Sequence, residues 1–163
     1  MMADRIDYEF TGIEELLGKL DEVSDDIKIK GGRFALRKAA QKLRDQVKMN
    51  ADRVDDPESD ARISDNVVER FSARLFKRTG NLGFRVGVMG GAGGNKPAEA
   101  FAGLPGGDTR HWRFLEFGTA KMPAKPFMRP AIDQAGQDIV NEFSAQYIKA
   151  LDRAIKRARR GRA

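Results

Sequence analysis

Ile6 to Phe10 (IDYEF) alternates apolar and polar residues, the two-residue period of a short strand. The period then lengthens. Thr11 is placed to cap a helix over Gly12–Val23, with Glu14 three residues on as the capping-box acid and Ile13, Leu16, Leu17 and Leu20 as its apolar stripe. Ser24–Gly32 reads as a break, closed by Gly31 and Gly32. A longer helix follows from about Arg33 to about Val54, where Phe34, Leu36, Ala39, Ala40, Leu43, Val47 and Ala51 recur at three- and four-residue spacings between Lys and Arg. At ~1.5 Å per residue it spans roughly 33 Å. Asp55–Asp60 (DDPESD) ends it as a polar turn.

The period shortens again at Val67. Val67, Glu69, Phe71, Ala73 and Leu75 alternate with Val68, Arg70, Ser72, Arg74 and Phe76, and Phe84, Val86 and Val88 continue the alternation beyond a turn at Thr79, Gly80 and Asn81. Val67–Met89 is therefore expected to be a hairpin. Gly90–Gly107 holds seven glycines and two prolines and has no period. It is expected to be a long mobile loop, a kind that in compact domains is functional or disordered. Pro130 suits the first turn of a last helix, striped by Ile132, Ala135, Ile139, Phe143, Tyr147, Leu151 and Ile155. The predicted fold class is α+β: a small antiparallel sheet, made of the hairpin and short strands, packed with an N-terminal helix, a long second helix and a long C-terminal helix. At 163 residues one domain, 1–163, is the simplest organisation.

Between hairpin and last helix, His111–Pro130 (HWRFLEFGTAKMPAKPFMRP) gathers Trp112, the only Trp of the chain, with Phe114, Phe117, Phe127 and the only His. Pro123, Pro126 and Pro130 make it extended and stiff, an arm suited to reaching a neighbour. Its aromatics are candidates for core packing or for a subunit interface, both of which favour such anchors. Glu116, between Leu115 and Phe117, could be a buried base. Having no catalytic companion, it reads better as a carboxylate held by Arg113, Lys121 or a backbone donor.

Composition narrows the chemistry. With 40% hydrophobic and 33% charged residues, the chain has the profile of a protein with a large wetted surface. No run approaches the ~20 apolar residues of a membrane span, and the start MMADRIDYEF lacks the basic and apolar regions of a signal peptide. The absence of Cys excludes disulfides and thiolate chemistry and fits a reducing cytosol; a single His excludes multi-histidine zinc sites within one chain. Asp55, Asp56, Glu58 and Asp60 could approach a hard cation, but a solvated turn is the better reading. Gly87–Gly94 resembles a phosphate loop superficially, with neither of the established glycine patterns and no helix signal after it. No metal and no cofactor is expected.

The formal charge of +6 is uneven. The tail Arg153–Ala163 carries Arg153, Lys156, Arg157, Arg159, Arg160 and Arg162 with no acid, which leaves a formally neutral body. These six are the candidate contacts for nucleic acid, through salt-sensitive phosphate binding, or for an acidic protein neighbour. A frayed or docked helix end is favoured, because no second basic surface is evident in the body.

The run Phe114–Thr119 (FLEFGT), followed by Met122–Ala131 (MPAKPFMRPA), resembles the signature of the gp-ten-like phage tail-component family. That signature is an aromatic residue, [LV]-E-[FY]-G-T, a short spacer, P-A-x-P-F-[LM]-R-P-A and a long amphipathic helix. Gly12–Leu16, Arg33–Val54 and Thr79–Leu82 also look similar to family elements, although Asp55–Phe76 separates the last two more than is usual there. The resemblance implies a non-enzymatic α+β structural protein of the virion neck, present in the host cytoplasm during assembly. It implies a ring of this chain, six copies being one candidate number, joining the head-completion or connector protein to the tail terminator or tail-tube protein. DNA in the channel is a further candidate contact. Trp112, Phe114, Glu116, Phe117, Met122, Phe127, Met128 and Arg129 are then the expected interface residues, or the support beneath it. A nucleic-acid-binding accessory protein is the rival reading, and a small hydrolase is the weakest.

Overall fold

Two helices of about thirty residues carry most of the architecture. A computed structural model describes residues 12–21, 23–90 and 97–161. The strand expected over Ile6–Phe10, the Thr11 cap, Arg162 and residues 91–96 of the glycine-rich stretch lie outside the described residues. The elements are α1 (Ile13–Asp21), α2 (Asp25–Val54), α3 (Ile63–Asn66), β1 (Val67–Phe71), α4 (Ala73–Thr79), β2 (Phe84–Val88), a 3-10 turn (Ala98–Phe101), α5 (Trp112–Phe117) and α6 (Arg129–Arg160). β1 and β2 form a two-stranded antiparallel sheet, so the fold is α+β with long helices near each end. The chain divides into two compact units, each discontinuous. The first comprises Met1–Lys42, Phe71–Arg85 and Gly136–Ala163; the second comprises Leu43–Arg70 and Val86–Ala135.

In the first unit, α2 begins at Asp25, eight residues before the expected start, and runs through Gly31 and Gly32. Asp25 and Asp26 lie in the first turn, where carboxylates suit the helix dipole, and the Lys28 N–H donates to the Ser24 carbonyl at 3.0 Å. Each helical glycine costs about 1 kcal/mol relative to alanine, and here the reason is close approach. A Cβ on Gly31 would stand 3.2 Å from the Tyr147 ring, and one on Gly32 would stand 3.2 Å from Leu82 Cδ1. The glycine pair is therefore a seat for α6 and not a break. Tyr147 completes it by donating its hydroxyl to the Lys28 carbonyl at 3.0 Å. Tyr147→Phe is expected to cost about 1 kcal/mol, read from urea unfolding midpoints; an unchanged midpoint would remove this bond from the account.

The expected tight hairpin turn is replaced by a helix. β1 ends at Phe71 and α4 follows directly from Ser72. A strand would put Leu75 and Phe76 on opposite faces, whereas a helix sets successive residues about 100° apart. Both can then be half-buried, with the Phe76 ring 5.9 Å and the Phe84 ring 5.5 Å from the Phe71 ring. Gly80, expected in the turn, instead ends α4 at φ +73°, donating its N–H to the Phe76 carbonyl at 2.8 Å. Lys77 and Arg78 sit in the last turn, where cations suit the dipole.

The second unit closes on a core of Val47, Ala51, Ile63, Val67, Val88, Phe127 and Ala131. Asn66, fully buried, ties its outer segments. It donates to the Gly107 carbonyl at 2.9 Å and to Thr109 Oγ1 at 2.7 Å, and accepts the Gly106 N–H at 2.9 Å. The glycine-rich stretch thus departs from expectation over its described part. It carries a 3-10 turn, buries Phe101 and stacks Arg110 at 4.6 Å over that ring.

Candidate functional site: an elbow locked by Glu116

The stretch expected to be an extended arm is a closed elbow. α5 forms over Trp112–Phe117 and ends at Gly118, whose φ of +74° lets its N–H reach the Phe114 carbonyl at 2.9 Å. A Cβ there would meet the Ala124 nitrogen at 2.8 Å, so the chain doubles back where only glycine fits. Thr119 and Met122 pair as an isolated antiparallel bridge, and the Lys125 N–H donates to the Leu115 carbonyl at 2.7 Å. The reversal delivers Phe127, Met128 and Arg129 to Glu116.

Glu116 is 1% exposed. Its carboxylate accepts the N–H groups of Phe127 at 2.8 Å, Met128 at 2.9 Å and Arg129 at 3.1 Å, and Arg129 Nε at 3.1 Å. Arg129 Nη2 also donates to the Glu116 carbonyl at 2.6 Å. These N–H groups belong to the entry of α6, whose own first turn contains no acid. Glu116 thus supplies from α5 the negative charge that a helix N-terminus favours. Burial pushes this carboxyl up, but the N–H groups of Met128, Phe127 and Arg129 together with the Arg129 guanidinium outweigh it and hold the pKa below the ordinary value. Such a group stays ionised and fully engaged, the opposite of a base poised to exchange protons near neutrality. Of the holders considered from sequence, the backbone donors are the ones used; Arg129, in place of Arg113 or Lys121, supplies the cation.

The expected interface residues separate by depth. Phe114 and Phe117 are 51% and 64% exposed, and three-residue spacing puts them on one side of α5. Arg129, its side chain largely exposed, lies with Cζ 5.5 Å from the Phe117 ring centre. Trp112, Met122 and Met128 are half-buried, and Trp112 and Met128 pack on the core. Glu116 and Phe127 are buried and hold the elbow from inside, the supporting place that the expectation also allowed. The reason lies in the helix, since α5 turns Glu116 inward while Phe114 and Phe117 face out.

Other candidates fall elsewhere. His111 Nε2 is 3.8 Å from Asp55 Oδ1, while Asp55 Oδ2 accepts the Ile63 N–H at 2.7 Å. Asp56 accepts the Glu58 N–H at 3.0 Å, the bond of a polar turn. Among the described residues, no group of three or more His, Cys, Asp or Glu comes together as a metal site, and no helix is long and apolar enough to cross a membrane. Arg153, Lys156, Arg157, Arg159 and Arg160 lie exposed on the last turns of α6.

Residues 14–118 match a family described as "Bacteriophage HK97-gp10, putative tail-component". The chain belongs to this HK97-gp10-like family. The matched span exceeds half of the chain and closes at Gly118, the residue that ends α5. It includes Glu116 and the exposed aromatics, while the N–H donors at Phe127–Arg129 lie beyond it. No curated protein and no solved structure matches the chain. Membership in the HK97-gp10-like family makes the chain a phage structural protein of the tail region and associates it with the virion.

Proposed function

We propose that the protein is a non-enzymatic neck component. It forms a ring of its own copies that joins the head-completion or connector protein to the tail terminator or tail tube, after assembling in the host cytoplasm. The observation that carries this reading is the pair Phe114 and Phe117, two large apolar side chains left exposed on an elbow that Glu116 holds rigid. Rigid exposed aromatics bind at low entropic cost and are frequent anchors of protein contacts. A ring subunit needs one patch that meets a different patch on the next copy, and the elbow supplies the first.

Phe114→Ser with Phe117→Ser tests this. Both side chains are at the surface, so the folded protein is expected to keep its melting temperature within the small range of surface substitutions. Electron microscopy of phage carrying the double variant is expected to show full heads beside unattached tails. Normal virions at normal yield would exclude the elbow as the joining surface.

A further inference from the structure

We infer that the first compact unit binds the phosphate backbone of nucleic acid, through two basic hollows on either side of the N-terminal half of α2. This goes beyond the neck reading, which does not require it.

Charge is partitioned between the units. The first, with 19 Lys and Arg against 12 Asp and Glu, carries +7; the second, with 11 against 12, carries −1. Within the first unit the cations are concentrated in acid-free runs over residues 27–42, 71–85 and 153–163, which hold 6, 4 and 6 of them. These runs belong to three different elements: α2, the α4–β2 segment and the end of α6. The tail is therefore one part of a basic unit, which supplies the second basic surface that the sequence did not reveal.

The hollows show how the runs meet. One, of about 310 Å³, is lined by Lys30, Gly31, Phe34, Arg153 and Arg157, with Phe34 41% exposed and the Arg153 guanidinium 5.8 Å from its ring centre. The other, of about 640 Å³, is lined by Phe71, Phe84, Arg74, Arg78 and Arg85, and Arg33 lies 4.0 Å over the Phe71 ring. Arg33 and Phe34 are successive residues of α2, about 100° apart around it, so the helix presents one to each hollow. Among the described residues, no carboxylate forms an ion pair with Arg74, Arg78, Arg85, Lys149, Lys156 or Arg157. Four acids of this unit are held in ion pairs: Glu15 and Asp152 with Lys19, Asp25 with Lys28, and Asp26 with Lys30 at the first hollow.

Cations spread over three elements, each hollow floored by an aromatic, suit a long flexible or helical polyanion whose phosphates repeat and whose bases can stack. The aromatics at each hollow favour nucleic acid over an acidic peptide, whose carboxylate side chains offer no ring to stack. Nothing among these residues is arranged to read base edges, so the binding is sequence-independent.

The test is fluorescence anisotropy with random-sequence duplex and single-stranded oligodeoxynucleotides, with poly-L-glutamate as competitor. If the six arginines at the two hollows (Arg33, Arg74, Arg78, Arg85, Arg153 and Arg157) reach phosphates, duplex affinity falls about 10³-fold between about 50 and 200 mM salt, with a shallower slope for single strands. Arg153→Glu with Arg157→Glu, and separately Arg78→Glu with Arg85→Glu, are expected each to weaken binding and to reduce the salt slope by roughly two. Unchanged circular dichroism confirms that these exposed changes leave the fold intact. No binding at low salt overturns the inference. So does competition by poly-L-glutamate at equal charge concentration, which would make the surface a dock for acidic protein. Loss in the α6 pair alone would reduce it to the tail and overturn the two-hollow surface. None of these outcomes bears on head–tail joining, which is read separately by microscopy.

Discussion

Glu116→Ala is expected to lower the stability of the fold by about 3–5 kcal/mol, because three backbone N–H groups lose their acceptor together. Alanine leaves the N–H groups of Phe127, Met128 and Arg129 without an acceptor, in a place where Phe127 is fully buried. A buried donor left unpaired costs about 1–3 kcal/mol, and the largely exposed Arg129 can turn to water. The entry of α6 therefore loses its acceptor and its compensating charge together. Glu116→Gln keeps the shape and one acceptor oxygen, so a smaller loss of about 2 kcal/mol is expected. The carboxyl titrates below its ordinary value in the folded protein. Its contribution is thus fully present above the unfolded-state pKa of about 4.3 and is lost as pH falls through the lower folded value. The stability gap between the parent and Glu116→Gln should stay constant near neutrality and narrow only in acid. Denaturant unfolding of the three proteins at neutral and acid pH measures this; a gap that widens on acidification would contradict a depressed pKa.

The same carboxylate shows what periodicity could and could not reach. Stripes at helical spacing located α1, most of α2 and all of α6, and Pro130 falls in the first turn of α6 as its chemistry predicts. The FLEFGT run pointed to the family whose model matches the chain. Burial within that run was not legible. Phe114, Phe117 and Phe127 are equivalent by composition, yet α5 turns Glu116 inward and leaves Phe114 and Phe117 exposed, while Phe127, beyond α5, is buried where the chain doubles back after Gly118. The hairpin failed where two local signals compete: Val67–Phe71 alternates, but Leu75 and Phe76 are adjacent apolar residues that only a helix can bury on one side. Gly31 and Gly32 look like a break unless Tyr147, more than a hundred residues away, is known to seat on them. The charge was legible as a sum and misleading as a map. The +6 matches the six tail cations numerically, but acids at residues 1–26 and 138–152 conceal the basic runs of α2 and α4–β2.

Gly106→Ala should be the most damaging single-methyl addition in the second unit. A Cβ there would lie 1.9 Å from the Arg62 carbonyl oxygen, 3.0 Å from its carbon and 3.1 Å from Asn66 Cγ. No side-chain rotation relieves a clash with backbone, and both neighbours are fixed by Gly106 itself. The Arg62 N–H donates to the Gly106 carbonyl at 2.9 Å, and the Gly106 N–H donates to Asn66 Oδ1 at 2.9 Å. Moving away breaks both bonds and frees the Asn66 side chain, which is 0% exposed and also holds Gly107 and Thr109. The strain exceeds that of ordinary overpacking, so a loss above about 3 kcal/mol is expected. For a chain of this size that is a fall of roughly 6–12 °C in melting temperature. Gly103→Ala is the matched control. Nothing stands within 4 Å of its Cβ and its φ is not positive, so alanine should leave stability unchanged or raise it by about 0.4–1 kcal/mol through the unfolded chain. Thermal unfolding of the pair by circular dichroism decides the matter. Equal melting temperatures for the two variants would mean that the Arg62–Gly106–Asn66 contact does not anchor this segment.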